Sequence, residues 1–208
     1  MKKLIHSLII LSILLFVSCT NDNDGTNDNL PQITNEGKNT FGCRVNGEVF
    51  LPKSKGGFSA GYRSPILVGR YFNLQYNYYD LEPGYYFQIL AYNELTTKSI
   101  HIQLTKSDLP LIQGQTYAIV LKGNGLFDAD FSYSKTTPHP DYNNVFVYNS
   151  FEYKTTNEYF GELTINTIDP TKLIISGTFS FDCYNAFENK ISQIREGRFD
   201  IKYEPYPN

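Results

Sequence analysis

Phe41-Gly42-Cys43-Arg44-Val45-Asn46-Gly47-Glu48-Val49-Phe50-Leu51 decides the fold class of this chain. Phe41, Cys43 and Val45 alternate with Gly42 and Arg44, the period-two pattern of a strand with one buried face. Asn46-Gly47 supplies the two residues that most readily adopt positive φ, as a two-residue hairpin turn requires. Residues 48–51 then return as the second strand. The stretch predicts an antiparallel hairpin, and the same alternation continues to the end of the chain.

Outward from this hairpin, turn residues recur about every eight to twelve positions, the spacing of a sandwich or barrel. Further strands are expected at 72–78, 85–92, 99–104, 116–121, 130–133, 145–153, 159–168, 173–183 and 198–203. Asp169-Pro170-Thr171-Lys172 has the chemistry of a type I turn, with Pro at its second position, and joins two of these strands. In the last, Phe199, Ile201 and Tyr203 share one face. The composition agrees: 17 Tyr and 15 Phe, no Trp and one Met fit pleated surfaces better than helices. Residues 106–114 are expected to form at most one helical turn. Residues 123–144, with Thr136-Thr137-Pro138-His139-Pro140-Asp141, are expected as a long surface loop with a strand through its middle. The fold class is therefore all-β: one antiparallel β-sandwich or partly open barrel over 37–208.

Residues 1–18 read as a signal peptide, with Lys2 and Lys3 ahead of an apolar run too short to serve as a transmembrane anchor. Phe16-Val17-Ser18-Cys19 resembles the lipobox of bacterial lipoproteins, which implies that Cys19 is lipidated and that the lipid is the membrane anchor. Residues 19–36 are expected to be a disordered acidic tether, with Asp22, Asp24, Asp28 and Glu36 and no basic residue between 20 and 36. That acidic stretch resembles the surface-export signals of Bacteroidota lipoproteins. Asn21-Asp22-Asn23-Asp24-Gly25 is similar to the start of an EF-hand loop, but with Gly25 at loop position 6 the register puts Thr20 first and Pro31 last. Neither supplies a carboxylate.

Leu30-Pro31, Thr34, Gly37, Asn39-Thr40-Phe41-Gly42-Cys43 and Val45-Asn46-Gly47 resemble the opening of a family of Bacteroidota lipoproteins of unknown function. Ile175-Ser176-Gly177-Thr178-Phe179-Ser180-Phe181 and Gly197-Arg198-Phe199-Asp200-Ile201 resemble its closing strands. The resemblance implies a small β domain on a lipid anchor in the outer membrane, on its periplasmic face or at the cell surface. It carries no catalytic residue.

The formal charge of −3 and a pI near 5.6, without a basic run, exclude nucleic acid as the expected partner. No HExxH, CxxC, GxSxG or phosphate-cradling glycine loop is present, so neither metal nor cofactor is expected. Cys43 and Cys183 are candidates for a disulfide that would close a loop of about 140 residues, worth on the order of 4 kcal/mol. Two buried free thiols fit the sequence equally well. His101 falls on the polar face of its strand. His139 and Asp141 lie close enough in sequence to share an ion or a substrate hydroxyl, the basis of a hydrolase reading.

Aromatic residues crowd positions 71–92. Tyr71, Tyr76, Tyr78, Tyr79, Tyr85 and Tyr86, beside Asn73, Gln75 and Asn77, are the candidate ligand surface, because rings stack on sugar C–H faces and amides bond hydroxyls. Packing of these rings into the core is the competing reading. The expected function is a non-catalytic binding module for a glycan or small ligand, with an accessory subunit of a surface complex as the alternative.

Overall fold

A computed structural model describes residues 30–56, 67–77, 80–123 and 125–205, and among them there is no helix. Eleven strands form: β1 (Thr40–Val45), β2 (Glu48–Phe50), β3 (Leu67–Leu74), β4 (Gly84–Asn93), β5 (Lys98–Ser107), β6 (Thr116–Ile119), β7 (Phe127–Pro138), β8 (Phe146–Lys154), β9 (Gly161–Asp169), β10 (Ile174–Asn185) and β11 (Lys190–Lys202). They make one sheet in the order β2-β1-β11-β10-β9-β6-β7-β5-β4-β3, with β8 pairing both β7 and β10. The sheet folds over at β6 and β8, so that β3, β4, β5 and β7 lie over β1, β11, β10 and β9. Phe87 of β4 meets Phe199 of β11 with ring centroids 6.1 Å apart. A Cβ on Gly69 of β3 would lie 2.0 Å from Ile201 of β11, so glycine is what lets this edge strand close on the opposite layer. The all-β sandwich is thus the observed architecture.

The alternation works as the sequence predicts. Phe41, Cys43 and Val45 are buried, as are Phe87, Ile89 and Ala91 on β4, Ile100, Ile102 and Leu104 on β5, and Phe179, Phe181 and Cys183 on β10. Asn46 and Gly47 take φ of 52° and 87° and form the expected hairpin turn. At the fold-over, Thr155 replaces missing ladder bonds: its Oγ1 donates to the Val120 carbonyl at 2.7 Å and accepts from Ala129 N–H at 3.2 Å. That satisfies main-chain groups of β7 and of the residue after β6, where β6 and β8 both end.

Three expectations need correction. Residues 123–144 are mostly strand, because β7 runs on to Pro138 and its ladder with β8 reaches Pro138↔Phe146. Proline is tolerated there since β5 stops pairing at Tyr133, leaving that part of β7 with a free edge. Residues 106–114 contain no helical turn; Ser107 Oγ instead caps a bend by accepting Leu109 N–H at 3.1 Å. Residues 30–36, expected within the disordered tether, instead dock on the domain with residues 37 and 38. Asp200, 1% exposed, accepts Thr34 Oγ1–H at 2.6 Å, Gly37 N–H at 2.7 Å and Glu36 N–H at 3.0 Å. Pro31 covers Gly42, where a Cβ would be 2.6 Å from the proline ring. Cys19 and residues 1–18, expected as a signal peptide, lie outside the described residues.

The disulfide does not form: Cys43 and Cys183 are free, buried thiols. β11 runs between their strands, which sets them about 10 Å apart laterally, beyond the roughly 7 Å that a bridge spans. Burial, with the nearby Asp130 and Asp182 charges, pushes the Cys183 thiol up to about 12; burial raises Cys43 as well. Neither is a thiolate at neutral pH. Alkylation of the folded protein should leave both unmodified in peptide mass spectra, full modification should need denaturant, and reductant should leave Tm unchanged.

Candidate functional site

The inner face of β7 carries the core past the end of the opposing layer. Along it run Phe131, Tyr133 and Lys135, passing from buried to half-buried to exposed, while β8 contributes Tyr153 and Phe151 beside them. Beyond Tyr133 the two strands stand alone as an arm. Beneath the overhang lie the β1–β2 turn, with Asn46 and Glu48, and Ser192 of β11. Together they enclose a cleft of about 320 Å³ at the end of the sandwich, at the small end of the range for ligand sites.

The aromatic floor is held rigidly. Tyr133 stacks on Phe151 at 4.9 Å and lies 6.1 Å from Phe131 and 6.2 Å from Tyr153, while Phe131 and Tyr153 are 5.7 Å apart. Both tyrosine hydroxyls donate to Glu188 in the β10–β11 turn, Tyr133 at 3.0 Å. The Tyr153 bond, then that of Tyr133 and the nearby Lys190, hold the Glu188 carboxyl below its ordinary range. Burial, and next the bond to Glu188, raise both phenols, so they stay protonated donors. Asn185 fixes the turn by accepting Glu188 N–H at 2.7 Å.

The rim is polar. Lys98 Nζ pairs with Glu48 at 3.1 Å, and Lys135 Nζ stands 5.1 Å over the Tyr133 ring. Asn46 Nδ2 donates to Ser192 Oγ at 3.3 Å, tying the β1–β2 turn to the cleft floor. Asn46 Oδ1 in turn accepts Gln193 N–H at 2.8 Å and Ser192 is buried, so the cleft offers a carboxylate and two ammonium groups around an aromatic floor.

The tyrosines expected to form one ligand surface are divided between two sheet faces. Tyr71 accepts Leu111 N–H at 3.0 Å and packs edge-on to Tyr203 at 5.6 Å, while Tyr85 stacks on Tyr71 at 6.4 Å. Tyr86, on the opposite face, stacks on Phe72 at 5.2 Å and donates to the Glu82 carbonyl. Tyr76 is 84% exposed, and Tyr78 and Tyr79 lie outside the described residues. The structure thus does not bring the described members of this set into one platform.

His101 lies on the outer polar face, as expected, within a cross-strand ladder. Arg70 donates to Gln88 Oε1 at 3.4 Å, which turns the Gln88 amide nitrogen toward His101 Nε2 at 2.9 Å. Nε2 accepts, so Nδ1 carries the hydrogen toward Asp130 Oδ2 at 3.3 Å. Both imidazole nitrogens are occupied. His139 and Asp141 come together differently: Asp141 N–H, rather than its carboxylate, meets His139 Nδ1 at 3.1 Å, and the ring leans on Tyr142. Among the described residues no group of three or more His, Cys, Asp or Glu is placed to hold a metal ion.

A second groove of about 250 Å³ lies beside Ile33, between Glu162 and Arg198. Its Glu196 is already engaged by Arg44 at 3.3 Å and Arg198 at 3.7 Å, and no aromatic face opens into it comparable to that of the sandwich-end cleft. Reading the sequence alone passes over the larger cleft because its walls come from residues 45, 46, 48, 98, 131, 133, 135, 153 and 192, which share no motif. The one available signal is the alternation of Phe131, Tyr133 and Lys135. No protein-family model, curated protein or solved structure matches this chain.

Proposed function

We propose that this chain is a lipid-anchored cell-envelope protein of the outer membrane and a non-catalytic binding module that holds a glycan or small ligand in the sandwich-end cleft. The observation that carries this reading is the cleft itself, lined by Phe131, Tyr133 and Tyr153, whose two phenols are held by Glu188, and rimmed by Lys98 and Lys135. Rings preorganised in this way offer stacking area with little ordering cost on binding. The N-terminal features that resemble a lipoprotein signal, and the resemblance to the Bacteroidota lipoprotein family, support the anchor and the location.

A thermal-shift panel of soluble glycans and small metabolites on the full chain tests the binding reading. A ligand at 100 times its Kd adds about 2.7 kcal/mol, a rise of roughly 5–10 °C for a domain of this size. The rise should vanish in Tyr133→Ala and persist in Tyr76→Ala. The opposite pattern would move the site to the β3–β4 tyrosines, and a flat panel would remove the binding reading. Anchoring is tested separately: palmitate-analogue labelling and membrane association should both be lost in Cys19→Ser, and labelling that survives would overturn it.

A specific observation favours a protein partner as the second reading. The arm carries Tyr142, Phe146 and Tyr148 at 64%, 63% and 67% exposure, and Phe187 in the β10–β11 turn is 91% exposed. Crosslinking from Phe146 or Phe187 should capture a stable partner if the chain is an accessory subunit of a surface complex; recovery of monomer alone counts against it.

A further inference from the structure

We infer that a second copy of this chain adds to the sheet at the outer edge of β8, giving a two-fold dimer in which the two β8 strands run antiparallel across an axis at Tyr148. The inference stands apart from the cleft reading and gives the exposed arm its partner. It starts from the main chain. The ladder between β7 and β8 is unbroken from Asp130↔Lys154 to Pro138↔Phe146. At one end the Val145 carbonyl accepts His139 N–H at 2.7 Å, and at the other Thr155 N–H donates to the Ala129 carbonyl at 3.0 Å. Alternation along an antiparallel strand then turns the odd-numbered residues of β8 toward β7 and aims the N–H and C=O of Phe146, Tyr148 and Ser150 the opposite way. Glu152 follows the same pattern, since its carbonyl accepts from the Asn185 amide at 2.8 Å. Among the described residues β10 meets this edge only at Lys154, and no strand pairs with it between Phe146 and Ser150.

The other edges among the described residues are blunted by shortness, charge, cover or proline. β2 is three residues long and carries Glu48, and β3 carries Arg70 and is met by Glu204 N–H on the Gly69 carbonyl at 2.9 Å. The exposed stretch of β7 runs into Pro138. Residues 145–151 hold neither charge nor proline, and such an edge is a template for another strand. The sequence itself is the fitting strand. With Tyr148 opposite its own copy, Phe146 faces Ser150 of the second copy and Ser150 faces its Phe146, so every outward residue meets an outward residue. Moving the axis to Val147 leaves Ser150 opposite Asn144, and moving it to Asn149 leaves Phe146 opposite the engaged Glu152. In the Tyr148 register Glu152 falls opposite Asn144, so no like charges are opposed. Phe146 and Tyr148, 63% and 67% exposed, share one face, and across the axis their rings join those of the second copy in one continuous strip.

Sedimentation velocity of the full chain over a concentration series should show a reversible monomer–dimer equilibrium. Tyr148→Lys sets two ammonium groups side by side on the axis, and Ser150→Pro removes an N–H that faces away from β7, a place where an edge strand tolerates proline. Each should weaken the dimer about tenfold or more while the circular dichroism spectrum stays that of the parent. Cysteine bridging reads the register. Tyr148→Cys should bridge to its own copy under mild oxidation, because residues opposed in a bonded pair lie about 5.5 Å apart, within disulfide reach, and peptide mass spectra locate the bridge. Phe146→Cys alone should not bridge, but should do so with Ser150→Cys when the two variants are mixed. A monomer at every concentration, a dimer that survives both Tyr148→Lys and Ser150→Pro, or self-bridging of Phe146→Cys as readily as of Tyr148→Cys would overturn the inference. A monomer that crosslinks from Phe146 to a different protein overturns the self-pairing and leaves the accessory-subunit reading standing, while a flat ligand panel leaves the dimer standing.

Discussion

Asp200→Ala should cost about 3 kcal/mol of stability, because it strips a buried acceptor from three main-chain N–H groups and a hydroxyl at once. Gly37 donates to Oδ1, while Thr34, Glu36 and Lys38 donate to Oδ2, Lys38 at 3.4 Å. Asp200→Asn is nearly isosteric, yet whichever way its amide turns, an NH2 group faces a donor. It should therefore lose much of the same stability without opening a cavity, and chemical denaturation of the two variants beside the parent measures both. The carboxyl also makes stability pH-dependent. Burial alone would raise its pKa, but the hydrogen bonds from Thr34, Glu36, Gly37 and Lys38 outweigh burial and hold it below the ordinary value. A depressed folded pKa contributes stability above the unfolded pKa, about 3.9, and that contribution is lost as pH falls through the folded value. The gap in stability between parent and Asp200→Asn should be full at neutral pH and narrow below about pH 4. A gap that stays constant into acid would show that the carboxylate charge is not what holds residues 34–38.

Phe87→Ala should cost about 3–5 kcal/mol, the range for removing a fully buried phenyl group. Phe87 is 1% exposed and touches both layers, meeting Phe127 edge-on at 5.8 Å and Phe199 at 6.1 Å. Truncation leaves a void between rings that are themselves pinned by neighbours, so little collapse is available to relieve it. For a domain of this size Tm should fall by roughly 10 °C, and calorimetry reads the change directly. Phe87→Leu should recover more than half of the loss. A fall of only a degree or two in Phe87→Ala would show that the layers close over the gap and that the ring does not join them.

Most of the fold was legible because its determinants are local. Asn46-Gly47 announces its hairpin through two residues that tolerate positive φ, and Asp169 announces the β9–β10 turn, where its carboxylate accepts Thr171 and Lys172 N–H, each at 3.0 Å. The arm was harder to read, because Pro138, His139 and Pro140 carry loop chemistry and the free edge that tolerates Pro138 is a property of the assembled sheet. Residues 30–36 read as tether because they are polar and lack apolar spacing; what orders them is a single carboxylate more than 160 positions away in the chain. The cleft shows the same limit. Tyr133 and Tyr153 each read as an ordinary strand residue, and Glu188 as a turn residue, until the fold brings the two hydroxyls to one carboxylate.

The residues that carry the family resemblance meet largely architectural demands in the structure. Thr34 and Gly37 serve Asp200, Asn39 accepts Lys202 N–H at 2.8 Å, and Gly197 makes room for the Phe179 ring, 2.4 Å from where a Cβ would stand. Such positions preserve a scaffold, while the cleft lies among residues outside those stretches except at Val45 and Asn46.

The grip of Asp200 on residues 34–38 also has a mechanical consequence. Tension applied to the chain on the N-terminal side of Leu30 arrives first at this clamp and only afterwards at β1, which is laced to β11 on one side and β2 on the other. Several short bonds converging on one carboxylate share the load instead of parting in sequence, so the clamp acts as a strain relief. The hairpin that begins the domain is spared from being peeled open whenever the domain is tugged from its leading end.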